Sequence, residues 1–399
     1  MGLLHQHSVH HARPAPAGPG YGTLWAMRIL VAPDKFAGTL TAVEAADAIA
    51  EGWRRSAPAD DVVTVPMADG GPGFVDVLHS CLGGELLAAT VHGPLDEPAP
   101  ATFLLVNGTA YIESAQACGL ALLPVGPDGR LPEPGAAERA STYGVGELVG
   151  HAVDAGATRV VVGLGGSGTN DGGAGLLAAL GAVASPDGAL TGGPRALAQL
   201  TELDLEPARQ RTAGVELVAA TDVDNPLLGL RGATNLFGPQ KGIVADDDRL
   251  AADAALTRYA ELADRRVADH KGAGAAGGLG YALLLLGGRR ELGFSTVADA
   301  VGLPRLVADA DLVITGEGKL DWQSMSGKVV SGLAGLAGPA LRPCIAMAGA
   351  VQVGNRELRA NGIEAAYAMV DIVGTEESFG RPRESLAAVA ERVARTWSR

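Results

Sequence analysis

Gly163-Leu164-Gly165-Gly166-Ser167-Gly168-Thr169-Asn170-Asp171-Gly172-Gly173 is the stretch on which the reading of this chain turns. Before it, Arg159 to Val162 is a short β-branched run that reads as a buried strand, and after it Ala174 to Leu180 reads as a helix. Glycines between strand and helix let the backbone approach a ligand closely, and the free N–H groups that open the helix attract anions such as phosphate. Thr169, Asn170 and Asp171 add side-chain oxygens suited to hydrogen bonds or to a hydrated Mg²⁺. A tight turn explains one or two glycines, but poorly explains six around Asn-Asp.

Gly163, Gly165 and Gly168 also satisfy G-x-G-x-x-G, so a dinucleotide site stays open as an alternative. That reading wants an acid about 20 residues on, at the end of the next strand. The candidate, Asp187, sits in a Pro-Asp-Gly turn. No G-K-[ST] follows the glycines, so the loop is not a Walker A.

Outward from this loop the same unit recurs. Ile29 to Ala32 is a strand, Pro33 to Gly38 a loop carrying Asp34 and Lys35, and Thr41 to Arg55 a helix with Thr41 as N-cap and Glu44 three residues on. Asp61 to Val65 runs into Asp69-Gly70-Gly71, with a helix from Phe74 to Cys81. Val215 to Ala220 ends in Thr221-Asp222-Val223-Asp224-Asn225-Pro226, whose Asp222 and Asp224 are metal-ligand types but also ordinary turn makers. Ala310 to Ile314 runs into a loop Thr315-Gly316-Glu317-Gly318-Lys319-Leu320-Asp321, followed by Ser326-Gly327-Lys328, and Cys344 to Met347 runs into Ala348-Gly349-Ala350. Strands alternating with helices predict an α/β fold with mainly parallel sheets, and ligands then gather at the strands' carboxyl ends. From Gly84 to Ala117 the pattern changes to alternating strands broken at Gly93-Pro94 and Asn107-Gly108, as at a domain edge.

With 399 residues the chain favours two domains. A net charge of -14 without a Lys/Arg block argues against nucleic acid as a partner. Cys81, Cys118 and Cys344, an odd count without a C-x-x-C pair, fit a reducing, cytoplasmic setting rather than a disulfide framework or zinc site. No apolar run approaches a membrane span; the richest, Ala282 to Leu286, is far too short. Residues 1–26 are rich in Pro, Gly and His, carry His5, His7, His10 and His11, and read as a disordered extension or as sequence upstream of a functional start at Met27.

Taken together the chain resembles the bacterial type I glycerate kinases. The resemblance rests on Ala32-Pro33-Asp34-Lys35-Phe36, Ala68-Asp69-Gly70-Gly71, the run from Gly165 to Gly175, Thr221 to Leu227, Phe237-Gly238-Pro239-Gln240-Lys241-Gly242, Gly272 to Gly278, and Ile314 to Asp321, in family order. It implies ATP- and Mg²⁺-dependent phosphorylation of D-glycerate or a related small hydroxy acid. It also implies two α/β domains, the second inserted into the first, with the site in the cleft between them. The expected division is a discontinuous Rossmann- or flavodoxin-like domain over 27–85 and 295–399 and an inserted α/β domain over 86–294. A homodimer is left open.

The expected catalytic residues are Asp34, Lys35, Asp69, Asp171 and Lys328. Gly165, Gly166, Ser167, Thr169, Asn170, Gly172, Gly316, Glu317, Gly318 and Asp321 are expected to bind the nucleotide, and Asp222 and Asp224 the metal. The chain departs from the family pattern at Ala37, where Lys is common, at Pro72-Gly73-Phe74, where Glu-Gly-Thr is common, and at Tyr143, often Arg. These changes touch recognition of the acceptor's carboxylate rather than the phosphate loops. A hydroxy-acid oxidoreductase using NAD(P) and a non-catalytic anion-binding relative are the rival readings.

Overall fold

The computed structural model describes residues 26–127, 129–325 and 328–398; residues 1–25 of the expected extension and the Ser326-Gly327 pair lie outside the described residues. Five parallel strands make one sheet, in the spatial order Ala365–Ala368, Cys344–Val351, Leu312–Leu320, Arg28–Val31, Asp61–Thr64. Numbered along the chain this is the flavodoxin-like order 2-1-3-4-5. The winding reverses between Arg28–Val31 and Leu312–Leu320, so the loops beyond those two strands part and leave a crevice at their carboxyl ends.

Local sequence explains the units around this crevice. Thr41 opens the helix Ala42–Ser56 with a complete capping box: its hydroxyl accepts the Glu44 N–H at 3.1 Å, and Glu44 accepts the Thr41 N–H at 2.9 Å. The helix turns its alanines, Ile49 and Trp53 onto the sheet and onto Pro382–Trp397, and Trp53 donates its indole N–H to Asp60 at 2.9 Å.

The middle of the chain builds a second sheet of six strands, in the order Arg289–Glu291, Glu216–Ala220, Arg159–Gly163, Thr109–Glu113, Pro98–Val106, Glu85–His92. The first four run parallel and the last two join as antiparallel partners, as the alternating pattern after Gly84 predicts. Asn107 and Gly108 both adopt positive φ, the requirement of a two-residue hairpin turn whose twist matches its strands.

The helices Phe74–Leu82 and Gly293–Ala300 lie between the sheets. Leu30, Val65 and Val313 of the first sheet's side belong to one apolar cluster with Leu104, Tyr111, Val161 and Val218 of the second, bridged by Phe74, Leu78 and Val297. Phe74 meets the Tyr111 ring edge-on at 6.0 Å. No helix among the described residues is long and apolar enough to cross a membrane.

One local expectation is corrected. Thr315-Gly316-Glu317-Gly318 is not a loop: the strand continues to Leu320, paired in register with Cys344–Val351 as far as Leu320 opposite Val351. Glycine suits a strand here because the neighbours close in. A Cβ on Gly316 would stand 2.2 Å from the Met347 carbonyl oxygen, and one on Gly349 would stand 2.4 Å from that of Gly318.

Candidate active site

The site forms where the carboxyl ends of the two sheets face each other. The Asp69-Gly70-Gly71 loop, following Asp61–Thr64 of the first sheet, is wedged against the second. The Gly70 carbonyl accepts the Gly165 N–H at 3.0 Å, and Cβ atoms built on Gly165, Gly163 and Gly293 would lie 2.5 Å from Gly71 Cα, 2.6 Å from the Gly70 oxygen and 2.0 Å from the Asp69 oxygen. Backbones this close admit no side chain, which is what these three glycines supply.

Around Gly71 the charged groups converge. A Cβ at Gly71 would sit 3.1 Å from Asp69 Oδ1, 3.4 Å from Lys35 Nζ and 3.9 Å from Gly165 Cα. Asp34, buried, takes the Lys35 N–H at 2.7 Å and lies 3.9 Å from Lys35 Nζ. Burial pushes its carboxyl up to about 6; Lys35 and Lys328 pull down against this, while Asp69 pushes further up. Asp222 is raised to about 7 by burial and by the charge of Asp69; the Gly293 N–H, at 2.9 Å, holds its Oδ1. Glu317 is likewise raised to about 7, by burial and the charge of Asp34, against Ser324 and Lys328. Asp34, Asp69, Asp222 and Glu317 thus form one electrostatically linked row with Lys35 and Lys328 beside it. Asp222 Oδ2 and Glu317 Oε1 are buried without a hydrogen-bond partner among the described residues.

A cavity of about 350 Å³ opens beside Asp34 and Lys35, lined further by Thr39, Thr41, Met67 and Asp76. Ala37 and Pro72, two of the departures from the family pattern, line it as well. Tyr143 does not: it borders a separate cavity with His92 and Arg139.

Not every expected residue reaches this site. Asp171 is fully buried, and its carboxylate accepts the Thr142 N–H and hydroxyl, both at 2.8 Å, and the N–H groups of Gly173 and Gly175 at 3.0 and 3.2 Å. Burial raises its pKa and those hydrogen bonds resist the rise. The Leu176 N–H goes to the Thr142 hydroxyl. The N–H groups opening the helix Ala174–Ala179 are therefore occupied by the protein itself, which corrects the expectation that they await an anion and removes the dinucleotide reading's main support. Thr169, Asn170 and Gly172 are buried against the Gly-rich segment Gly272 to Gly278, with Asn170 donating to Thr234 at 2.9 Å and Gly172 to the Gly277 carbonyl at 2.9 Å. Gly165 and Gly166 remain open at the surface, with Ser167 just beneath.

Asp224 is exposed and pairs with Lys271 at 3.5 Å rather than joining Asp222. Asp321 caps a turn through the Gln323 N–H at 2.9 Å and pairs with Lys319 at 3.3 Å. Gly316 is buried inside its strand, and Gly318 is half-buried at its edge.

Lys241 is the residue that sequence reasoning passed over. Only 2 % exposed, it donates from Nζ to Ser167 Oγ at 3.0 Å and to the Thr169 carbonyl at 2.7 Å, and burial lowers its pKa to about 8. It pins the glycine loop from beneath. The string Phe237 to Gly242 marks its position, but only the tertiary packing shows the ammonium is inside.

The family model for the glycerate kinase family matches residues 29–398. The chain is 41% identical to the glycerate kinase of Bacillus subtilis, over 92% of this chain and 97% of the relative. It is 37% identical to the glycerate 2-kinase of Escherichia coli, over 93% and 98%. A crystal structure assigned as glycerate kinase 2 from Salmonella typhimurium superposes with a TM-score of 0.77 at 38% identity, covering 93% of this chain and 98% of that one. With its whole fold shared at this level of identity, this chain belongs to the glycerate kinase family.

Proposed function

We propose that the protein is an ATP-dependent kinase that phosphorylates D-glycerate. The observation that carries this is the row Asp34, Asp69, Asp222 and Glu317, flanked by Lys35 and Lys328, at the facing carboxyl ends of both sheets. Phosphoryl transfer asks a protein mainly for positioning and for charge to offset charge. The lobes that supply these groups are 27–85 with 295–399, and 86–294.

The acceptor occupies the cavity beside Asp34. Its hydroxyl oxygen attacks the terminal phosphorus, the bond from that phosphorus to the departing ADP oxygen breaks, and Asp34 takes the hydroxyl proton. A carboxyl lifted to about 6 stays mostly ionised near neutral pH and is a better base than one at the ordinary value. Asp69, between Asp34 and Asp222, orients the hydroxyl, while Lys35 and Lys328 offset charge on the transferred group. Gly166 offers backbone to the phosphates; Gly165, its N–H held by the Gly70 carbonyl, sets the loop against Gly71, and Asp171 and Lys241 hold the loop in place without touching them.

Mg²⁺ fits the site by the chemistry of its donors. Asp222 and Glu317 each hold a buried carboxylate oxygen without a hydrogen-bond partner among the described residues, and Mg²⁺ favours one or two carboxylates plus waters and phosphates over an all-protein cage. Among the described residues no group of three or more His, Cys, Asp or Glu forms such a cage. Bound there, the ion would supply charge neutralisation to the phosphates. Asp224, paired with Lys271 at the surface, is not part of this set.

ADP release with D-glycerate and Mg-ATP tests the reading, with phosphorus NMR of the product to identify the phosphorylated hydroxyl. Asp69→Asn should lower turnover by about 10²- to 10⁴-fold while leaving the thermal unfolding midpoint close to the parent's. Near-normal turnover in that variant would remove Asp69 from the mechanism.

A further inference from the structure

We infer that the apolar slot beneath Phe379 is the subsite for the purine base of the nucleotide. The inference rests on the phosphotransfer reading and adds where the donor's base lies. The slot is a cavity of about 240 Å³ at the carboxyl ends of Leu312–Leu320 and Cys344–Val351. Ligand pockets run from roughly 300 Å³ upward for whole drug-sized molecules, so this one suits a flat ring system rather than a complete nucleotide.

Its walls fit a purine. Gly318, Gly349 and Ala350 present little beyond backbone, while Phe36, Met369 and Val370 add apolar surface. Phe379, on the short helix Thr375–Gly380, is 69% exposed at the rim, whereas the other phenylalanines are buried or half-buried. A ring set against it would stack on its face. Gln352, exposed on the same wall, has an amide that both donates and accepts, the pattern that matches the donor–acceptor edge of adenine.

The slot adjoins the cavity beside the charged row. Ala37 and Thr39 line both this cavity and the one beside Asp34 and Lys35, so the Phe36 to Leu40 turn is a shared wall. A base in the slot would direct its phosphates around that turn toward Lys35 and Lys328. The slot lies one strand over from the crevice where the winding of the first sheet reverses, against the turn that follows Arg28–Val31, and like that crevice it opens at the strands' carboxyl ends, where such sheets bind ligands.

Phe379→Ala and Val370→Trp test this, the first deleting the stacking surface and the second filling the slot. Both are measured by titration with the fluorescent analogue N-methylanthraniloyl-ADP and by steady-state kinetics. The expected result is an ADP-analogue affinity weakened about tenfold in Phe379→Ala, and more in Val370→Trp. KM for ATP should rise in parallel, with KM for D-glycerate unchanged. Affinity and KM for ATP within twofold of the parent in both variants would overturn the assignment, and so would equal changes in both KM values. If the parent binds the analogue and Phe379→Ala weakens it, yet no ADP is released with D-glycerate, the base site stands and the kinase reading falls.

Discussion

Asp222 carries, in a single side chain, a cost in stability that the proposed chemistry would explain. Its carboxylate is partly buried, faces the charge of Asp69 against the weaker pull of Arg290, and keeps one oxygen without a hydrogen-bond partner among the described residues. An ionised group in that position is held there at a cost. Asp222→Asn keeps an oxygen for the Gly293 N–H and removes the repulsion, so the variant should unfold about 1–2 °C higher near pH 7.5. Its turnover should fall at least about a hundredfold if, as we propose, the partnerless oxygen is the one offered to Mg²⁺. Calorimetry and the ADP-release assay read the two effects separately, and a variant that lost stability along with activity would make Asp222 structural. The sequence showed Asp222 and Asp224 as equals in one acidic turn. Only the fold separates them, by tying Asp222 to Gly293 and Asp224 to Lys271.

At the scale of elements, the decisive contact is loop against loop. Gly165 and Gly71 approach so closely that a Cβ on Gly165 would overlap Gly71 Cα at 2.5 Å and its nitrogen at 2.9 Å. Neither obstacle is a flexible side-chain end, so Gly165→Ala must move backbone. We expect a loss of about 1–3 kcal/mol in urea denaturation and at least a tenfold fall in turnover, since the Asp69 loop shifts with Gly71. Unchanged kinetics would mean that the wedge is not what positions Asp69. Sequence density of glycine correctly marked these loops as special, but for a mixed reason: Gly163 and Gly165 admit another backbone, whereas Gly172 and Gly173 adopt positive φ beside Asp171. The helix N-terminus that looked like an anion site is closed by Asp171 and Thr142, and Thr142 lies 29 residues away in sequence, beyond any local pattern.

The whole molecule should display the charged row in its pH dependence. Asp34, Asp222 and Glu317 carry folded-state values of about 6, 7 and 7, against ordinary carboxylate values near 4. Between those limits the folded chain binds more protons than the unfolded one, so stability falls as pH rises from about 4 through about 7. His92, raised through its bond to Glu147, changes stability in the same direction as pH climbs past its ordinary value. The thermal midpoint should therefore be higher at pH 6 than at pH 8 without ligand. Turnover should run the other way, with an acid limb between about pH 6 and 7 as the carboxylates protonate. A thermal midpoint that rose with pH over this window would show that the row is not charged at the cost we assign to it.

Strand and helix periodicity, the capping box at Thr41 and Glu44, and the order of glycine- and aspartate-bearing strings determined the α/β class, the parallel sheets and the family. These are local properties, written in spacings of a few residues, or family strings that keep their order. Tertiary structure alone decided which carboxylates meet, that Asp171 is bound to backbone instead of facing the cleft, and that Lys241 lies under the glycine loop. The physical reason is that burial and charge coupling depend on what a distant segment brings alongside. Asp69, Gly165, Asp222 and Glu317 come from four separate strand ends across both sheets, and no stretch of sequence records the distance between them.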